Sequence, residues 1–160
     1  MINLSLQAVI TLTEWSERTV RRRLSDGTLK CAVDSGTYNK TLICFDSIRQ
    51  DVCIPLSAED IELIKRADGG DAEAQTDLAL LFFAHVKPKS AMYWLELAAK
   101  QNYPDAMQWL GGCYLHGEGV AADENLAVMW IAKAASFGHT IAMRQIEAMG
   151  SRLKGGAFSL

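Results

Sequence analysis

Histidine is scarce in this 160-residue chain, at three residues, and its four cysteines form no C-x-x-C pair. Metal ligation and nucleophilic catalysis need such groups at fixed spacings, so little is left to support either. An excess of cations is missing as well. Sixteen Lys and Arg face nineteen Asp and Glu, a net charge of -3, which excludes a polybasic nucleic-acid coat but not a local basic face. Long apolar runs are absent too: the strongest, Leu78 to Ala84, falls far short of the roughly 20 residues that span a bilayer. No membrane association is expected. Asn3, Ser5, Gln7, Thr11 and Glu14 interrupt the apolar residues of the first twenty, a pattern unlike a secretory leader. These absences predict a cytoplasmic protein whose Cys31, Cys44, Cys53 and Cys113 are reduced and buried.

What is present is the balance of a folded protein, 49% apolar and 22% charged, in a length that suits one ordinary domain or two small ones. The pattern changes near Ile54 to Ala58. There Pro55 blocks helix continuation and Ser57 can cap a new helix, predicted over 57–66. Residues 1–50 hold seven basic and five acidic residues, a balance of +2, whereas residues 67–160 hold seven and ten, a balance of -3. We therefore expect a first module over 1–54, a connecting helix within 55–70, a second module over 71–150, and a tail over 151–160 from which Phe158 and Leu160 can dock on a neighbour.

The second module repeats itself. Ala74 to Phe82 aligns with Ala106 to Tyr114 at an offset of 32, and Ala91 to Ala99 aligns with Ala127 to Ala135 at an offset of 36. The first unit is thus four residues shorter in the loop between its helices. A third start at Ala142 reads as a terminal helix. Small residues at Ala79, Ala98, Ala99, Gly111, Ala134 and Ala135 allow helices to approach closely, with Leu78, Trp94, Leu110, Tyr114 and Trp130 filling the space between. Stacks of this kind need about three repeats to stand alone. Two and a fraction predict a cap at one end, from the first module or from a second chain.

The stretch Ala106 to Ala142, with Leu110-Gly111, Tyr114, Gly117-Glu118-Gly119-Val120, Asp123, Ala127, Trp130, Ala134-Ala135 and Gly138, resembles a Sel1-like repeat, a relative of the tetratricopeptide repeat. Residues 71–105 resemble a shortened copy that lacks the G-x-G-V loop and carries Asn102 in place of Gly. The resemblance implies a right-handed α-solenoid that scaffolds protein partners without catalysis of its own.

In the first module, Leu6 to Val9 followed by Thr13 to Leu29 resembles the small winged helix-turn-helix of the MerR and excisionase group. Ser16 would cap the second helix, Val20 and Leu24 would face the core, and Asp26-Gly27 would end it. Lys30 to Val33, the turn Asp34-Ser35-Gly36, and Thr37 to Phe45 would form the wing. Arg23 stands where an aromatic is common, and the wing has no basic cluster.

The expected fold class is therefore mainly α, a small winged helix-turn-helix followed by a short solenoid. Arg18, Arg21, Arg22 and Ser25 lie opposite Val20 and Leu24, and with Lys40 on the wing they form the candidate contact to double-stranded DNA. Three or four cations are modest for a monomer, and a homodimer would double them. Their bland alternative is a solvated face balanced by Glu14 and Glu17. Phe83, Met107, Gln108, Trp109 and Met143 are the candidate partner groove, with packing against the first module as the alternative. Gly117-Glu118-Gly119 lacks the spacing of a phosphate loop and reads as a repeat turn, and His85, His116 and His139 sit near helix ends without ligand partners. No cofactor, metal or catalytic constellation is expected. The sequence predicts a non-enzymatic regulator that binds DNA and a protein partner, or a pure adaptor in which the first module docks or caps.

Overall fold

A computed structural model describes residues 2–33 and 41–155. The first module begins with β1 (Asn3–Leu4), α1 (Leu6–Thr13) and α2 (Glu17–Ser25), then β2 (Cys31–Val33) and β3 (Thr41–Cys44). Ser5 opens α1 by accepting from the Ala8 amide at 3.2 Å, and Ser16 opens α2 by accepting from the Thr19 amide at 3.2 Å. Each cap satisfies an amide that has no partner inside the helix. The α2 helix ends at Asp26, and Gly27, at φ +78°, turns the chain toward β2. The sheet is antiparallel in the order β1-β3-β2, with Asn3 opposite Cys44 and Cys31 opposite Ile43. Leu4 and Ile43 carry its buried face onto Val9, Leu12 and Val20. The Asp34-Ser35-Gly36 turn and Lys40 lie outside the described residues. Arg23, at the place where an aromatic is common, lays its guanidinium 3.9 Å from the centre of the Trp15 ring. That stacking substitutes a cation–π contact for an apolar one.

Two short 3-10 turns, Phe45–Ser47 and Arg49–Asp51, lead into six helices: α3 (Ala58–Asp68), α4 (Ala72–Ala84), α5 (Pro88–Lys100), α6 (Pro104–His116), α7 (Glu124–Ser136) and α8 (Thr140–Gly155). Their starts are written locally. Ser57 and Asp60 form a reciprocal capping box on α3, Asp71 accepts from Glu73 and Ala74 on α4, proline stands at the first position of α5 and α6, and Asp123 accepts from Leu126 on α7. His139 caps α8 by accepting from the Ala142 amide through Nδ1 at 3.1 Å. The α8 helix continues through Gly155, so residues 151–155, expected as part of a loose tail, are helical; Phe158 and Leu160 lie outside the described residues.

Consecutive helices pack against one another from α3 to α8. The α4–α5 loop spans residues 85–87 and the α6–α7 loop residues 117–123, which is the four-residue difference expected from the repeat offsets. The short loop forces Val86 into the left-handed region at φ +58°, where a β-branched side chain is strained. The longer loop folds over the preceding unit: a Cβ on Gly119 would lie 2.8 Å from the Met92 side chain and 3.1 Å from the Pro88 carbonyl. Asn102, at φ +60°, takes the left-handed turn that Gly138 takes at φ +86° one unit later. Asparagine tolerates that conformation better than most residues.

The first module caps the start of the solenoid. Trp94, buried on α5, donates from Nε1 to Thr11 Oγ1 at 3.1 Å, and the Ser90 hydroxyl donates to the Thr11 carbonyl at 2.8 Å. Lys87 pairs with Glu14 at 2.5 Å, the Ser5 amide donates to Asp68 at 2.8 Å, and the Cys53 amide donates to the Leu12 carbonyl at 2.8 Å. One apolar core runs from Leu4 to Ala142.

Two cysteine expectations are corrected. Cys44 and Cys113 are buried, but Cys31 is exposed because it lies on the outer strand β2, and Cys53 is half-buried at the junction. All four are free thiols.

The tightest helix approach predicts a mutational contrast. A Cβ on Gly111 would lie 2.5 Å from Ile131 Cγ1 and 3.1 Å from the Ala127 carbonyl, while nothing lies within 4 Å of one on Gly112. Gly111→Ala is expected to lose about 1–3 kcal/mol by overpacking. Gly112→Ala is expected to keep or gain about 0.5–1 kcal/mol from helix propensity. Urea unfolding of both variants checks the contrast.

Candidate functional site

Two surfaces carry the candidate residues. On α2, Arg18, Arg21, Arg22 and Ser25 are all exposed, at spacings of three and four residues that place them on one side of the helix. Opposite them Val20 is fully buried and Leu24 packs on the core. Arg21 is held by Glu17 at 2.7 Å, one turn earlier. Arg18 and Arg22 form no ion pair among the described residues, although the charge of Arg22 helps to hold the Asp26 carboxyl below its ordinary range after the hydrogen bonds from Thr28. Glu14, expected as a partial balance for these arginines, is engaged instead with Lys87 of the solenoid. The Ser25 hydroxyl donates to the Arg22 carbonyl at 2.8 Å, which leaves its oxygen free to accept.

The solenoid candidates separate. Trp109 and Met143 are each 45% exposed. Gln108 is half-buried and donates to the Gln145 side chain of α8 at 3.3 Å, and Phe83 is half-buried against the core. Met107 is fully buried, so its place in a partner groove is corrected. It fills the seam between units, a role Met143 would hold 36 residues later if another unit followed α8 in the described chain. Val128, at 38% exposure, is exposed where its counterpart Met92, at 5%, is covered by the Gly119 loop.

Asp105 lies one turn before Trp109 on α6, 3.2 Å from His139 Nε2, and the sequence expectations did not include it. Trp109 holds in α6 the place that Asp77 holds in α4, 32 residues earlier. Glu73 and Asp105, one turn before Asp77 and Trp109 respectively, extend the same face. Asp71 is drawn to Arg66 at 2.6 Å, and that hydrogen bond holds its carboxyl below the ordinary range. Asp77 is shifted the other way, above its ordinary value, first by partial burial of its carboxylate and then by Glu73. The repeat offset carries the signal that finds this acid, because it aligns Asp77 with Trp109 along the chain. Phe137 and Ile141, exposed at the turn between α7 and α8, stand where exposed Gln101 and Asp105 stand 36 residues earlier, so the repeat offset marks both as surface positions.

Burial, with Glu118 adding to it, pushes the Cys113 thiol up to about 11, away from the reactive thiolate. Among the described residues no group of three or more His, Cys, Asp or Glu is placed to hold a metal, and no helix is long and apolar enough to cross a membrane. Gly117 and Gly119 take left-handed turns within the inter-helix loop, in keeping with a repeat turn.

An acid whose pKa is raised on folding destabilises the folded state once ionised, so its cost grows as pH rises above the unfolded value, 3.8 for Asp77. Asp77→Asn is therefore expected to raise the melting temperature near about pH 7 and to lose that advantage near about pH 3, as thermal unfolding at both pH values would show.

Comparison with known proteins identifies the second module. The Sel1 repeat family model matches residues 72–103 and 104–139, which are the α4–α5 and α6–α7 pairs. The structure is similar to c5321, a protective antigen present in uropathogenic Escherichia coli strains displaying an SLR fold, with 31% identity and a TM-score of 0.55 over 58% of this chain. It is also similar to a Sel1 repeat protein from Oxalobacter formigenes, with 32% identity and a TM-score of 0.50 over 54% of this chain. The chain spans 21% of the first of these proteins and 68% of the second. No curated protein matches it. The repeat offsets, the loop geometry and these likenesses agree: the chain belongs to the Sel1 repeat family.

Proposed function

We propose that the chain is a non-enzymatic docking protein that holds a protein partner on the solenoid face carrying Trp109. Sel1 repeats typically mediate protein–protein interaction, and the observation that carries the reading to a site is an exposed Trp109 flanked by Asp105 and aligned with Asp77. An aromatic of this size supplies much of the energy of an interface when a partner covers it. Asp105 already faces His139 and Glu73 faces Arg66, so Asp77, without an ion pair among the described residues, is the acid that suits a partner setting an apolar side chain beside Lys or Arg. Gln108 and Phe83 would border the contact and Met143 would extend it toward α8.

A second reading concerns the first module. The exposed side of α2, where Arg18 and Arg22 form no ion pair among the described residues, supports a winged helix-turn-helix that contacts double-stranded DNA through Arg18, Arg21, Arg22 and Ser25. Glu17 screens Arg21. Few cations remain for phosphate contact, which favours binding as a pair of copies. If α2 does not bind DNA, the module serves the solenoid as its cap and the protein is an adaptor.

Both readings have direct tests. A photo-crosslinking residue at position 109 is expected to capture one defined protein that the same residue at exposed Ala132 does not. Trp109→Ala should then weaken the purified complex at least about tenfold, or about 1.4 kcal/mol; equal capture at both positions, or unchanged affinity, refutes docking at Trp109. For DNA, anisotropy of a labelled duplex pool over a salt series is expected to show a steep log-log slope. Replacing Arg18, Arg21 and Arg22 with Ala should lower that slope by about 0.9 for each phosphate left without its arginine. No binding by folded wild-type protein at low salt refutes the DNA reading.

A further inference from the structure

Where α1 meets α5 the two helices leave an open cleft of about 280 Å³. Its floor is closed by the Ser90 hydroxyl on the Thr11 carbonyl, at 2.8 Å. Ile10, Trp15 and Tyr93 give it apolar walls, and Gln7, Glu14 and Lys89 stand at its polar edge. Small-ligand sites have this make-up, a largely apolar lining with a few polar groups that set orientation.

Both aromatic walls are fixed before anything binds. The Arg23 guanidinium lies 3.9 Å from the centre of the Trp15 ring, on a face of the indole. Tyr93 stands edge-on to the buried Trp94, with ring centres 5.2 Å apart and planes at 84°. A ligand entering between them therefore loses little to the ordering of side chains.

The charge at the edge selects the ligand. Glu14 is already compensated by Lys87 at 2.5 Å. Lys89 is exposed and has no acidic partner among the described residues. Glu14, Lys87 and Lys89 together leave one positive charge at this edge, with the Gln7 amide as an uncharged donor, while the Asp68 carboxylate, held by Ser5, acts on the Tyr93 wall. A cation would meet Lys89, whereas a carboxylate would gain a charge-assisted hydrogen bond from it.

We propose that this cleft binds a small monocarboxylate with an aromatic or branched apolar body, its carboxylate on Lys89 and its body between Trp15 and Tyr93. The volume admits a single ring with a short acid arm. Such a ligand touches α1 and α5 at once and so tightens the seam between the two modules. Its contact with Trp15 also reaches α2, through the stacked Arg23. The site is separate from the Trp109 face, and it stands or falls independently of partner docking.

Indole resonances of the full-length protein report the site directly, because its four tryptophans are separable probes. Titration with phenylacetate, indole-3-acetate and 4-methylpentanoate is expected to move the Trp15 indole signal and leave Trp109 and Trp130 in place. At least one acid should bind about tenfold more tightly than benzyl alcohol, with benzylamine weaker than both. Lys89→Gln should bring that acid down to the level of the alcohol without changing the melting temperature, since the Lys89 side chain makes no hydrogen bond or ion pair among the described residues. The proposal is overturned if none of the acids moves Trp15 by about 10 mM, if acid, alcohol and amine bind alike, or if Lys89→Gln keeps the preference for the acid.

Discussion

Thr11 and Trp94 lie 83 residues apart in sequence and meet in the interior, the indole nitrogen on the threonine hydroxyl. Burying a tryptophan removes roughly 150–250 Å² of surface from water, and an N–H left without a partner would offset part of that gain. Thr11 supplies that partner, and its carbonyl also receives the Ser90 hydroxyl. The threonine hydroxyl is itself anchored, donating to the Ala8 carbonyl at 2.8 Å. A short helix in the first module thus completes the second helix of the first repeat. Without it, Trp94 and the face of α5 around it would stand in water.

That constraint explains why the two modules form one body. A solenoid of two units has two exposed ends and too little interior to hold them. At the start, α1 and α3 cover the first unit, and polar ties such as Ser5 to Asp68 and Glu14 to Lys87 fix how they sit. At the other end α8 covers the second unit and presents Glu147 where Gly111 makes the closest helix approach one unit earlier. A carboxylate at that place suits water rather than another helix. Within the described chain a folded module covers one end of the repeats and α8 covers the other, while Val128 and Met143 are exposed.

Function follows from what this arrangement leaves outside. The repeat uses small residues, Ala98, Ala99, Ala106 and Gly111, to bring backbones together, and it points Trp109 away from the packed seam. The first module likewise turns Val20 inward and the arginines of α2 outward. Neither surface contains a reactive thiol, a metal cluster or a catalytic pair among the described residues. Both are exposed faces of one packed body, and the cleft beside Trp15 lies where α1 meets α5.

Much of this is legible along the chain. The caps at Ser16, Ser57 and Asp123, the prolines that start α5 and α6, the repeat offsets and the four-residue loop difference are all local features. Each is set by residues within a few positions of one another, so a linear pattern is enough to reveal it. Exposure is different, because it depends on which distant element covers a side chain. Met107 and Met143 occupy the same repeat position, yet only the first is buried, since only the first has a unit packed on both sides. Cys31 is exposed by its place on an outer strand, and Glu14 is drawn from its neighbouring arginines to Lys87, 73 residues away. Local sequence determined the helices, their limits and the family; packing between distant elements decided which of their residues stay exposed, because burial is settled by contacts that local pattern does not encode.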